Sequence, residues 1–310
     1  MSACQPTSRR TCLELLRSPS RRVIPVLGVP IINEIANVLM LVESIDHPIG
    51  TLHFLHNADV GQLSAEVRRA LLQARSAHVQ RILISAFPVN MGVAAAWNVL
   101  FSYHRSAPFV LVSNADVSFR PGALLQISHA LALREKTVRN GCAIFSFGLG
   151  LSLFAMSNAS FERLGHFDEN FWPAYSEDCD YLKRLSLTSP RCIEAQLPLA
   201  ALLRHFGSAA SRRAPEESPL RQQTDAQGVQ QRFFNNRDLL RAKWGAEGAC
   251  DAPATRCPYG RRPVSGSCNF SWTLDWRRRK ARGGPNACFA CARPTRPTLL
   301  LGSTGQRGVG

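Results

Sequence analysis

At 310 residues and 45% apolar composition, the chain is long enough to bury a sizeable core in one large domain or two small ones. Its formal net charge of +15 invites a nucleic-acid reading, but residues 1–22 hold +4 of it and residues 250–310 hold +9, which leaves +2 for the body. That distribution argues against a polyanion-binding body, since basic tails bind polyanions only non-specifically.

The first 21 residues form an Arg- and Ser-rich leader with a single acid, Glu14, and are expected to be disordered. From Arg22 the pattern alternates. Arg22 to Gly28 is an apolar run ended by turn residues, hence a strand. Asn33 to Ile45 places Ile35, Val38, Leu39, Val42 and Ile45 on one helical face. Thr51–His56 is a second strand, Ser64–Ala77 an amphipathic helix, and Arg81–Ser85 a third strand. Val93–Tyr103 is a helix, Phe109–Ser113 a fully apolar fourth strand, and another helix begins near Pro121. This β-α-β-α-β-α-β order predicts an α/β domain over 22–249. Its sheet should be mainly parallel and covered on both faces. Ligands bind at the carboxyl ends of such strands, where Asn57–Asp59 and Asn114–Asp116 fall.

Beyond Gly141, Cys142–Phe147 and Ser152–Met156 are expected strands, and Ser157–Leu164 is a short helix closed by Gly165. A helix starts at Glu177, Leu197–Leu203 is strand-like, Pro215–Gly228 is a polar loop, and Arg232–Trp244 is a last helix. Residues 250–310 are expected to be an irregular basic tail. Ten cysteines fall five and five between the chain up to Cys192 and this tail, an odd set each, which argues against a disulfide framework and for a reducing compartment. Cys288 and Cys291 alone are a weak zinc signal. Asn158-Ala-Ser and Asn269-Phe-Ser match the glycosylation acceptor pattern. No run reaches the roughly 18–20 apolar residues of a transmembrane helix. The expected location is cytoplasmic, with organellar targeting by the leader as the alternative.

Three constellations carry candidate chemistry. Asp116, with Asn114 beside it, lies in the turn after the apolar fourth strand, where a carboxylate holds a divalent cation against phosphate groups. An Asp there serves equally to cap the next helix. The segment from Phe167 to Asp180 packs five carboxylates and four aromatics into 14 residues. A positioned carboxylate is suited to act as general base on a hydroxyl, and Trp172 and Tyr175 are suited to stack on a sugar. The plainer reading places Glu177–Asp180 at a helix start with an Asp180–Arg184 pair. His205 follows an apolar run and precedes a polar loop, a place for a metal or phosphate ligand.

In this order the segments resemble the family 2 glycosyltransferases typified by rhamnosyl- and galactofuranosyltransferases, from about Val23 to Gly245. The resemblance is carried by Val42–Pro48 with Asn57, by Asn90-Met-Gly92 through Asn98, by Asn114-Ala-Asp116, and by Gly165–Phe171 with Glu177-Asp178. It implies a GT-A-type three-layer α/β sandwich with a mainly parallel central sheet and a Rossmann-like nucleotide-binding half. It also implies inverting transfer of a sugar from a nucleotide-diphosphate donor to a hydroxyl acceptor by metal-assisted single displacement. Asp178 would be the catalytic base and Glu177 its neighbour positioning the acceptor. Asp116 and His205 would hold Mn²⁺ or Mg²⁺. Asn57, Asp59, Asn90, Gly92, Asn98, Asn114 and Asp116 would line the donor, and Asp168, Glu169, Trp172 and Tyr175 the acceptor. The metal motif carries one carboxylate where the family commonly has two, which leaves a catalytically inactive, nucleotide-sugar- or glycan-binding relative as the alternative.

Overall fold

The computed structural model describes residues 23–32, 35–57, 65–74, 76–87, 90–134, 141–188, 192–206, 228–245, 254–255, 257–260 and 298–300. The leader, Asp59, the Pro215–Ala226 stretch, both cysteines of the Cys288–Cys291 pair and the Asn269 acceptor pattern lie outside them.

The first half follows the expected alternation. Strands β1 (Ile24–Ile31), β2 (Ile49–His56), β3 (Val79–Ala86) and β4 (Val110–Ser113) are separated by helices α1 (Ile35–Glu43), α2 (Ala65–Gln73) and α3 (Val93–Tyr103). After β4 come a short strand β5 (Val117–Phe119), helix α4 (Ala123–Ala132), strands β6 (Ala143–Ser146) and β7 (Leu153–Met156), and helices α5 (Asn158–Leu164) and α6 (Glu177–Ser186). Strands β8 (Ile193–Gln196) and β9 (Leu203–His205), helix α7 (Gly228–Trp244) and an edge strand β10 (Thr298–Leu300) complete the described elements.

The main sheet runs β10-β3-β2-β1-β4-β7-β6-β8. Strands β3, β2, β1 and β4 are mutually parallel, as are β6 and β8, while β7 and β10 run against their neighbours. It is a mostly parallel sheet covered on both sides, as the alternation predicts. On one face Val38 and Leu41 of α1, Leu71 of α2 and Ile127 of α4 pack on Leu27, Val29 and Leu52. On the other, Trp97 and Phe101 of α3, Phe161 of α5 and Tyr181 of α6 pack on Val26, Val112 and Phe154. A small third cluster joins Leu239, Leu240 and Trp244 of α7 to Phe171 and Cys179.

Two sequence expectations are corrected. The strand-like run Leu197–Leu203 is a 3₁₀ turn (Ala200–Leu202) leading into β9, and the true sheet strand lies just before it as β8. A four-residue strand at the sheet edge carries too little periodicity to be told from a loop. The odd cysteine counts are misleading as well. Cys142 and Cys192 form a disulfide across 50 residues, joining the entry of β6 to that of β8, and Cys179 and Cys257 are also disulfide-bonded. Four of the cysteines are therefore disulfide-bonded, so cysteine usage does not argue for a reducing compartment. A loop of that length typically gains about 2–4 kcal/mol on closure. The Asn158 acceptor pattern is also committed elsewhere: its Nδ2 donates to the carbonyls of Arg105 (2.8 Å), His104 (3.0 Å) and Ala107 (3.2 Å), tying α5 to the end of α3.

One buried polar network had no signal in the sequence. His53 on β2 shares a 2.8 Å hydrogen bond between its Nδ1 and Nε2 of His104, and its own Nε2 lies 2.9 Å from Ser85 Oγ on β3. Burial, then the mutual charge and that of Arg81, lower His53 to about 3, and burial with Arg81 lowers His104 to about 4. Both rings are therefore neutral in the folded chain and titrate near 6.5 when it unfolds. The unfolded state binds more protons below pH 6.5, so their contribution is fully present above that pH and is lost progressively as pH falls toward the folded values. Urea unfolding at pH 7 and pH 5.5 is expected to show a loss of about 2–3 kcal/mol from this pair. An unchanged urea midpoint would mean that the rings are charged or exposed.

Candidate active site

The carboxyl ends of β1, β2, β3 and β4 share one edge of the sheet, and the residues leaving that edge build the site. After β4 the chain turns through Asn114, whose N–H donates to Ser152 O (2.8 Å) and whose carbonyl accepts from Val117 N–H (3.3 Å). The turn delivers Asp116 to the start of β5, and β5 pairs with β9 so that Val117 lies opposite His205. Phe206 N–H then donates to Asp116 O (2.9 Å). This two-stranded ribbon brings together side chains 89 positions apart: His205 Nε2 is 3.3 Å from Asp116 Oδ1, with each side chain 22% exposed. Asp116 Oδ1 is itself buried with no aligned hydrogen-bond donor, and the Asp116 carboxylate raises the His205 pKa against the opposing effect of burial.

The second half of the site is the stretch from Phe167 into α6. Asn98 on α3 is buried and clamps its beginning: Oδ1 accepts from Phe167 N–H (2.8 Å), while Nδ2 donates to Phe167 O (3.0 Å) and Glu169 Oε1 (2.9 Å). Trp172 Nε1 donates to Asn90 O (3.0 Å), and Pro173, joined to Trp172 by a cis peptide, accepts from Val93 N–H (2.8 Å). Gly92, at φ +89°, sits under this contact. A Cβ there would lie 3.0 Å from Trp172 Cδ1 and 3.1 Å from Pro173 O, so only glycine fits. Asn90 Oδ1 accepts from Gly92 N–H and Asn57 Oδ1 from Met91 N–H, both at 2.9 Å.

Tyr175 and Ser176 follow, both at positive φ (76° and 73°), a backbone region costing about 1–3 kcal/mol per residue that clusters at functional sites. They aim the first turn of α6, where Glu177 is buried and Asp178 half-buried. Burial, then the charge of Asp178, push the Glu177 carboxyl well above its ordinary range, and its Oε2 has no hydrogen-bond partner. Burial also raises Asp178, opposed by the N–H of Cys179 donating to its Oδ1 at 2.7 Å. Tyr175, 42% exposed, ties the two halves together: after burial, the charges of Glu177 and Asp116 raise its phenol. Carboxylates from two distant parts of the chain thus act on one exposed ring.

Several residues expected to touch ligands are instead committed to the protein. Asp168 is wholly buried, with Oδ2 2.9 Å from Lys243 Nζ and Oδ1 accepting from Asn170 N–H (3.0 Å) and Nδ2 (2.7 Å), so it anchors the loop and does not face an acceptor. Asn98 is likewise a buried clamp and not a donor contact, because both ends of its amide are engaged by the backbone of Phe167. Glu169, Asn57, Asn90 and Gly92 take part in the same bracing of the 90–93 and 167–173 segments. At the end of β2, His56 is fully buried with neither ring nitrogen in aligned hydrogen bonding, and burial lowers its pKa against the nearby Ile32 carbonyl.

Helix α7 packs against the Phe167–Asp180 segment. Its buried positions 236, 239, 240, 243 and 244 recur at helical spacing on one face. Lys243 Nζ contacts both Asp168 and Asp180, Arg184 pairs with Asp180, and Trp244 Nε1 donates to Asp180 Oδ1 at 3.0 Å. Two cations and two anions, all without exposed side-chain surface, balance one another, and the two cations hold Asp180 below its ordinary pKa despite its burial.

No protein-family model matches the chain. It is 22% identical to a galactofuranosyl glycosyltransferase of Leishmania donovani, over 53% of this chain and 52% of that protein, and so spans about half the length of the curated relative it matches. Among solved structures it is similar to S. aureus TarS 1–349 (TM-score 0.42, 11% identity, 71% of this chain and 81% of that chain). It is also similar to glucosyl-3-phosphoglycerate synthase from Mycobacterium tuberculosis, solved with Mn²⁺, UDP and glucosyl-3-phosphoglycerate (TM-score 0.38, 14% identity, 72% and 86%). The curated relative's name agrees with the resemblance that the sequence motifs carry, and the chain is similar to that glycosyltransferase over about half of either length.

Proposed function

We propose that the chain transfers a sugar from a nucleoside-diphosphate donor to a hydroxyl acceptor, with inversion at the anomeric carbon. The observation that carries this is the contact of Asp116 with His205 at 3.3 Å, together with the Glu177-Asp178 turn, since the charges of both Asp116 and Glu177 reach the exposed Tyr175 phenol. A single-displacement transfer needs a cation-binding pair at the diphosphate and a base at the attacking hydroxyl, and these are the two halves of the site.

The Asp116–His205 pair fits a divalent cation. Its two ligand atoms are 3.3 Å apart, close to the roughly 3 Å between adjacent ligands of an octahedral ion bonded at about 2.1 Å. Asp116 Oδ1, whose one close polar neighbour is His205 Nε2, is an oxygen ligand suited to Mg²⁺ or Mn²⁺. Such an ion, when bound, neutralises the charge that grows on the departing diphosphate. Among the described residues no third protein ligand joins the pair, which leaves coordination positions for diphosphate oxygens and water.

Asp178, with its pKa raised by burial, is basic enough to accept the proton of the acceptor hydroxyl as that oxygen attacks the anomeric carbon. The sugar–phosphate bond breaks as the new glycosidic bond forms, and the electron pair leaves with the nucleoside diphosphate. Glu177 lies beside Asp178 in the first turn of α6, its carboxyl pushed well above the ordinary range by burial and then by its neighbour's charge. The exposed Tyr175 ring offers the apolar face on which a sugar stacks.

The relative's name makes UDP-galactofuranose the first donor to test. Thermal unfolding with Mn²⁺ and UDP is expected to show stabilisation by about 2.7 kcal/mol at 100 times the Kd. Asp116→Ala is expected to lose the Mn²⁺-dependent part of it. A variant that binds UDP and Mn²⁺ like wild type would remove Asp116 from the cation site.

A further inference from the structure

The strained turn before α6 does not hold itself. The carbonyls of Trp172, Ala174 and Tyr175 converge on one amide from a remote helix: Asn236 Nδ2 lies 2.7 Å from Ala174 O, 3.2 Å from Tyr175 O and 3.3 Å from Trp172 O. Asn236 is 4% exposed and sits on the same face of α7 as Lys243 and Trp244, seven and eight positions on, which lock that helix to Asp168 and Asp180. The amide carries two N–H groups for three acceptors, so it is fully engaged by this turn. The residues it grips run directly into Tyr175 and Ser176, both at positive φ, and these set the direction from which Glu177 and Asp178 enter the site.

We infer that Asn236 is a positioning residue for the catalytic turn, acting on Asp178 through the Trp172–Ser176 backbone without touching substrate. This rests on the assignment of Asp178 as base, but its structural half is independent of that assignment. A side chain that holds a backbone by hydrogen-bond donation is tested by an isosteric change that removes the donors. Asn236→Asp keeps the shape and turns a carboxylate toward three carbonyls, and Asn236→Ala removes the group.

Two measurements on the full chain decide the matter. In amide hydrogen exchange, the peptide over residues 172–178 should exchange at least about tenfold faster in both variants, while peptides over β1 and β4 keep their wild-type rates. In steady-state transfer with UDP-sugar donor, kcat per folded molecule, with the folded fraction taken from circular dichroism at the assay temperature, should fall at least about tenfold while the donor KM stays within about twofold. Unchanged exchange over 172–178 would overturn the inference, and so would faster exchange with wild-type kcat. If the wild-type chain shows no transfer at all, the functional reading fails, and the exchange measurement alone decides whether Asn236 holds the turn.

Discussion

Asp178→Asn is expected to lower the turnover of sugar transfer by about 10²–10⁴-fold, the usual contribution of a positioned general base. Binding of UDP with Mn²⁺ should remain within a few-fold of wild type, because the cation pair lies on the ribbon of Asp116 and His205, apart from α6. The substitution is nearly isosteric, and the amide oxygen can still accept from Cys179 N–H as the carboxylate does. The loss is therefore one of basicity and not of fold. In the wild type, burial raises Asp178, so the acid limb of the rate profile should lie above the ordinary carboxylate range. Activity should fall as pH drops through that value, because the working form is the ionised one. Steady-state kinetics of both proteins measure this directly. Undiminished turnover in the variant would remove the base assignment.

Lys243→Met is expected to cost about 3–5 kcal/mol of stability, the range for removing one partner of a buried ion pair. Asp180 would keep Arg184 and Trp244 Nε1. Asp168 would keep only Asn170 among the partners identified for it, in a place without solvent access. The expected drop in melting temperature is roughly 10 °C for a domain of this size. Adding Asp168→Asn should recover part of the loss, because the stranded charge is then gone, and the double-mutant cycle isolates the pair. A single variant within about 1 kcal/mol of wild type would mean that water reaches the cluster.

The elements that sequence made legible are those with strong periodicity. The helix over Val93–Tyr103 lies where the apolar spacing puts it, and each of the first four strands is found within a few residues of its predicted bounds. The edge strand Ile193–Gln196 escaped because four residues carry no usable alternation. The Cys142–Cys192 bond escaped because counting thiols by region cannot show which of them fold side by side. Within the Phe167–Asp180 segment, density of charge alone could not sort the acids. Asp168 and Asp180 proved to be counter-ions to Lys243 and Arg184, while Glu177 and Asp178 open the first turn of α6.

The chain of amino acids by itself determined the alternating α/β order and the placing of polar turns after apolar strands, because hydrophobic spacing of about two or 3.6 residues is written locally. It also singled out Asp116 and the Glu177-Asp178 pair as residues with chemistry to perform. Only the tertiary structure decided which carboxylates are balanced by cations and which are not, because Lys243 lies 75 residues from Asp168 and 63 from Asp180, and nothing local couples them. The same holds for the approach of His205 to Asp116 through the β5–β9 ribbon and for the grip of Asn236 on the turn before α6. An isolated charge cannot be left buried, so the fold that buries these acids also had to bring their partners to them from far along the chain.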